Sequence, residues 1–186
     1  MTTVPNLLIL LASLLAVFAG GAFNGLRQLL GAQVDLLPAL MVYTALSSGP
    51  AMMLTVAVTG GLLFDTLSAN PLGTSVLPLL LVGFGLQRRR DLILREEKYA
   101  QLVLGWLASA VAPALSVLVL LTLGQSPLLG WGSLWQWTVM SVGGAVATPI
   151  LFVVFGGLNH ALGYQRTIES SFRPDREIRR GRKKHD

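Results

Sequence analysis

Few side chains in this sequence are equipped for chemistry, and most of them stand apart from one another. Asp65 is the most conspicuous. It is the only acidic residue between Leu36 and Arg90, with one apolar run leading into it and another leading out. An ionisable group beside hydrocarbon costs roughly 2.5–3.5 kcal/mol at a helix centre, so it needs a partner, a watery cavity or a position at a helix end. Asp35 is a second isolated carboxylate. The two histidines, His160 and His185, lie far along the chain from both. There is no cysteine, which excludes disulfides, thiolate metal sites and cysteine nucleophiles. No H-E-x-x-H pattern occurs. Ser141 and His160 stand nineteen residues apart on one predicted helix, about 28 Å at ~1.5 Å per residue, too far to act as nucleophile and base. An aspartic dyad needs two carboxylates about 3 Å apart. Asp35 and Asp65 can approach each other but neither sits inside a helix. The chain is therefore expected to be no enzyme and to need no cofactor or metal.

Three roles remain open for Asp65: a helix-end carboxylate in water, one half of an ion pair, or a substrate ligand. Arg27 is the only basic side chain expected on the same side of the membrane, so an Arg27–Asp65 pair is the specific structural expectation.

The elements that must position these residues follow from hydropathy. The chain is 53% hydrophobic and 12% charged over 186 residues. Long charge-free runs at that composition predict an all-α, polytopic membrane protein. Six transmembrane helices are expected, in a compact bundle. They cover residues 4–23, 36–46, 51–64, 72–86, 99–123 and 133–158, in a membrane domain of residues 1–165 with a basic tail, 166–186, after it. The second is half a bilayer long and is expected to be tilted or partly interfacial. Pro78 should kink the fourth helix, and Pro113 and Pro149 the last two. Pro71 should open the fourth helix, with Asn70 or Ser68 near its cap. In the third helix Thr55, Ala57, Thr59, Gly60 and Gly61 are small or hydroxyl-bearing and are expected to face the bundle.

The basic residues set orientation. Eight of the fourteen Lys/Arg lie in 166–186, five in 87–98, and Arg27 is the last. With six spans, thirteen fall on one side, which is then cytoplasmic together with both termini. Asp65 and the cluster Trp131, Trp135 and Trp137 fall outside. The pI near 10.2 thus reflects a basic membrane face rather than a nucleic-acid site. Arg88, Arg89, Arg90, Arg179, Arg180, Arg182, Lys183 and Lys184 are the candidate contacts for anionic lipid or cytoplasmic proteins.

The run Gly60 to Gly73, with its core Gly-Leu-Leu-x-Asp-x-Leu-Ser-x-x-Pro-Leu-Gly from Gly61, resembles the signature of the rod shape-determining MreD family. The stretch Leu79 to Gly85 resembles that family's next helix, and the size and the basic loop after helix four are similar too. The tail from Arg173 to Lys184 is longer than the resemblance leads one to expect. Carried over by position, Gly61, Asp65, Pro71 and Gly73 match the motif, with a structural role in close helix approach and a fixed outer turn. The resemblance implies a non-catalytic, multi-pass component of the bacterial cytoplasmic (inner) membrane in the cell-elongation, or rod, complex. There it would bind MreC and help regulate cell shape and peptidoglycan synthesis. RodA, a class B penicillin-binding protein and MreB would be members of the same complex. It also implies a six-helix fold resembling the substrate-binding S components of vitamin transporters. The alternative expectation is such a small-molecule-binding transporter subunit, with a polar pocket near Asp65, Asn24 and Thr59. A lipid-linked precursor flippase is a third expectation, for which only Arg27 supplies outer positive charge.

Overall fold

The structure, a computed structural model, describes residues 3–22, 31–68, 70–90, 97–125 and 130–161. Among them there are six helices and no strand: α1 (Thr3–Ala22), α2 (Leu37–Ser47), α3 (Pro50–Ser68), α4 (Val76–Arg88), α5 (Lys98–Thr122) and α6 (Trp131–Ala161). Three are long and apolar enough to cross a membrane: Pro50–Ser68, Lys98–Thr122 and Trp131–His160. The chain therefore has the character of a membrane protein.

The shortest helix is the centre. All ten residues from Leu37 to Leu46 are buried, and α1, α3, α4, α5 and α6 all pack on α2. A helix that is apolar all round is one surrounded by protein. That corrects the expectation that helix two is partly interfacial. At about 16 Å it is too short for a bilayer, but it faces protein and has no hydrocarbon to match. Tyr43 at its middle stacks on Phe155 at 4.6 Å and meets Phe152 edge-on, which fastens α2 to α6.

Close approach elsewhere depends on glycine. A methyl at Gly60 would strike Leu37 of α2, and one at Gly83 would strike Met41 and Met53. The tightest crossing joins α5 and α6. A methyl at Gly105 would collide with Thr148 and the Gly144 carbonyl, and one at Gly144 with Ser109. Ala108 and Ala112 of α5 are buried. Dispersion and close backbone contact hold such crossings where lipid removes the hydrophobic driving force.

The α3 expectation holds for Ala57, Gly60 and Gly61, which are buried, and fails for Thr55 and Thr59, which are exposed. Each threonine hydroxyl instead donates back along its own helix, to Ala51 O at 2.8 Å and Thr55 O at 2.7 Å. A hydroxyl satisfied this way needs no neighbour. Pro113 and Pro149 lie inside α5 and α6 as expected. In the turn before Pro113, the Trp137 indole donates to Ala110 O at 2.7 Å. A carbonyl three residues before the proline thereby gains a donor from the next helix.

The candidate site, a carboxylate that fastens a turn

The Gly60–Gly73 run folds as the end of α3 and the turn into α4. Asp65 lies in the last turn of α3, which continues to Ser68, rather than terminating it. Its side chain is fully buried. This removes the water-exposed reading of the carboxylate. Its partners are main-chain amides: Gly73 N–H donates to Oδ2 at 2.8 Å, and Ser75 N–H to Oδ1 at 3.1 Å and Oδ2 at 3.2 Å. The Asp65 carbonyl also accepts from Asn70 N–H at 3.2 Å. One residue thus closes the turn with both its side chain and its main chain.

The Gly73 amide lies in the turn and the Ser75 amide is that of the cap residue of α4, whose own side chain makes no capping bond. A helix N-terminus carries partial positive charge, and the carboxylate from the previous helix is held against it through the Ser75 amide. The expectation that Pro71 opens helix four, with Asn70 or Ser68 at its cap, is therefore corrected. The helix starts at Val76, and Pro71 belongs to the turn, where its carbonyl accepts from Thr74 N–H at 3.2 Å and Thr74 Oγ1 at 2.7 Å. Pro78 falls in the first turn of α4, where the missing N–H is no loss. It therefore interrupts nothing.

Two glycines complete the clasp. Gly73 has φ +94°, a conformation that a side chain strains. At Gly61 a Cβ would lie 2.8 Å from Val76 Cγ2, 2.9 Å from its Cα and 3.0 Å from its N, so the backbones of α3 and α4 nearly touch. Gly61, Asp65, Pro71 and Gly73 therefore all form one structural unit.

Asp35 approaches from the other side of the turn. The segment 31–36 is held by a pair of glutamines. Gln33 N–H donates to Gln136 Oε1 at 3.0 Å, and Gln136 Nε2 donates to Gln33 O at 2.8 Å. Gln33 Nε2 also reaches Gly20 O at the end of α1, at 2.8 Å. Asp35 then accepts from Leu37 N–H at 2.9 Å, at the entrance to α2. Burial pushes its carboxyl from 3.8 up to about 6, against the opposing pull of that bond.

A cavity of about 210 Å³ opens beside the clasp. Asp35, Asn70, Ser75 and Ser116 give it polar groups, and Pro78, Leu79, Phe64 and Met140 are among its apolar walls. It differs from the pocket expected near Asp65, Asn24 and Thr59. The oxygens of Asp65 are engaged by amides, and Thr59 is turned outward; Asn24 lies outside the described residues. So does Arg27, and with it the proposed pair with Asp65. Gln33, Gln136 and Ser75 were not singled out for this region, and Asn70 was expected only as a helix cap. An amide side chain at Gln136, inside an otherwise aromatic and apolar stretch, was the available signal.

Arg88, Arg89 and Arg90 lie at the other end. Helix α4 runs from the clasp to Arg88, and Gln87 Nε2 reaches Ser48 O at the end of α2, at 3.4 Å. Arg88 and Arg89 are exposed there. Arg179, Arg180, Arg182, Lys183 and Lys184 lie outside the described residues. Ser141 and His160 share α6, as expected, and remain apart. Among the described residues no group of three or more His, Asp or Glu is placed to hold a metal.

No family model matches this chain, and neither a curated protein nor a solved structure matches it.

Proposed function

We propose that this protein is a non-catalytic component of the bacterial cell-elongation machinery, resembling MreD, that binds MreC and helps position peptidoglycan synthesis. One observation carries the reading. The residues that bear the resemblance, Gly61, Asp65, Pro71 and Gly73, are all engaged in building a helix–turn–helix clasp. A signature devoted to architecture suits a scaffold. In this reading the chain makes six spans of the cytoplasmic membrane, both termini cytoplasmic, with the clasp outside. The separation of the clasp from Arg88 and Arg89 along α4 supports that arrangement. The basic end would lie against anionic lipid, at about 1 kcal/mol per basic residue near such a surface. RodA, the class B penicillin-binding protein and MreB would join through the same complex.

A second reading, a substrate-binding subunit resembling a transporter S component, is favoured by the cavity beside Asp35. Affinity purification of the tagged protein from native membranes, followed by mass spectrometry, separates the two. The scaffold reading expects MreC and wall synthases among the retained proteins. Retention of an ATPase pair without MreC would replace it with the second.

A further inference from the structure

The cavity beside the clasp has the makings of a binding site. Ser75 is 8% exposed and lines it. Its N–H is used on Asp65, but its hydroxyl has no partner among the described residues. The Asn70 carboxamide also lines the cavity and makes no side-chain bond among them. Asp35 makes one hydrogen bond, to Leu37 N–H, which leaves acceptor capacity on its carboxylate. The groups surrounding Asp35 come from α2, α3, α4, α5, α6 and the turn. None of the described lining residues besides Asp35 carries a charge. The other nearby carboxylate, Asp65, is occupied by Gly73 and Ser75 amides.

The size of the cavity is also informative. A wholly apolar cavity of about 150 Å³ takes up benzene. This one is about 210 Å³ and adds an anion, an amide and two hydroxyls to its walls. An apolar body fits against Phe64, Pro78 and Leu79, and a half-buried carboxylate with no counter-charge among the described lining residues favours a cation.

The geometry points to a site for a small organic amine: its ammonium on Asp35, its further donors on Asn70 and Ser75, its apolar portion against α3 and α4. This deepens the second reading by naming a ligand class. Binding is measured on the isolated protein, so failure of the amine site and failure of a transporter role are separate results.

The test uses the full-length protein in detergent and follows its thermal melt with and without benzylamine, benzyl alcohol or benzoate. Benzylamine should raise the melting temperature saturably at pH 7.5. Its apparent affinity should fall about tenfold at pH 5, one unit below the Asp35 midpoint of about 6, since benzylamine stays protonated at both values. Asp35→Asn keeps an oxygen for Leu37 N–H and should abolish the shift. Ser116→Leu fills the cavity without touching Asp35 and should abolish it too. No saturable shift overturns the site. So does equal or better binding of benzyl alcohol or benzoate, or benzylamine binding that survives either substitution.

Discussion

Asp65 serves the fold by accepting hydrogen bonds that nothing else nearby supplies. Removing it leaves the Gly73 and Ser75 amides buried without an acceptor, at about 1–3 kcal/mol each. Asp65→Ala should therefore lower stability by about 2–5 kcal/mol, and Asp65→Asn, which keeps one oxygen, by roughly half as much. Thermal or denaturant melts in detergent measure both. Asp35 predicts a pH effect. Its folded carboxyl holds its proton up to about 6, against 3.8 for the free group. The folded state thus binds more protons between those values, and stability rises as pH falls from above 6 toward 4. The melting temperature of the wild type should rise over that window, and Asp35→Asn should flatten the rise. That Asp65 needs a partner was legible from its isolation in an apolar run. The amide partners were not, because backbone amides eight and ten residues away leave no mark in side-chain composition. The expected Arg27 partner lies outside the described residues.

At the level of elements, the clasp works because α3 and α4 meet at Gly61. Gly61→Ala pushes a methyl against the Val76 backbone, and overpacking of this kind costs about 1–3 kcal/mol. Gly85→Ala, on α4 where nothing lies within 4 Å, is the contrast. It should be neutral or stabilising by up to about 1 kcal/mol through helix propensity. Parallel melts of the two variants check the pair. Hydropathy located all six helices to within a few residues. It misjudged α2, since a short apolar run looks the same at a membrane surface and at the centre of a bundle. Burial on every side is a tertiary property, and only the partners of Leu37–Leu46 reveal it. Pro78 was misread for a related reason: its effect depends on where the helix begins, and Asp65 and Ser75 set that start at Val76, five residues beyond Pro71.

For the whole molecule, contacts at the helix ends show the chain alternating direction. The end of α1, the start of α2, the end of α3 and the start of α4 converge near the clasp, with Ser116 of α5 and Met140 of α6. Ser48 and Gln87 meet at the opposite end. Exposed Trp131 and Trp135 at the start of α6 suit a membrane–water boundary. The expected behaviour is that of an integral protein: alkaline carbonate should leave it in the membrane pellet, and detergent should release it. Composition made this class plain from the start. The cavity was not legible, since Asp35, Asn70, Ser75 and Ser116 are spread over eighty residues and meet only when the bundle closes.

On the proposed scaffold role, the Gly60–Gly73 run serves as architecture rather than as a partner contact. The most direct test compares wild type, Asp65→Asn and Asp65→Ala for two quantities in the same membranes: the amount of folded protein, and the MreC co-purified per folded molecule. Folded protein should decline in that order while MreC per folded molecule stays constant. Folded protein that holds steady while MreC retention is lost would contradict it, and would make Asp65 a contact rather than a fastener.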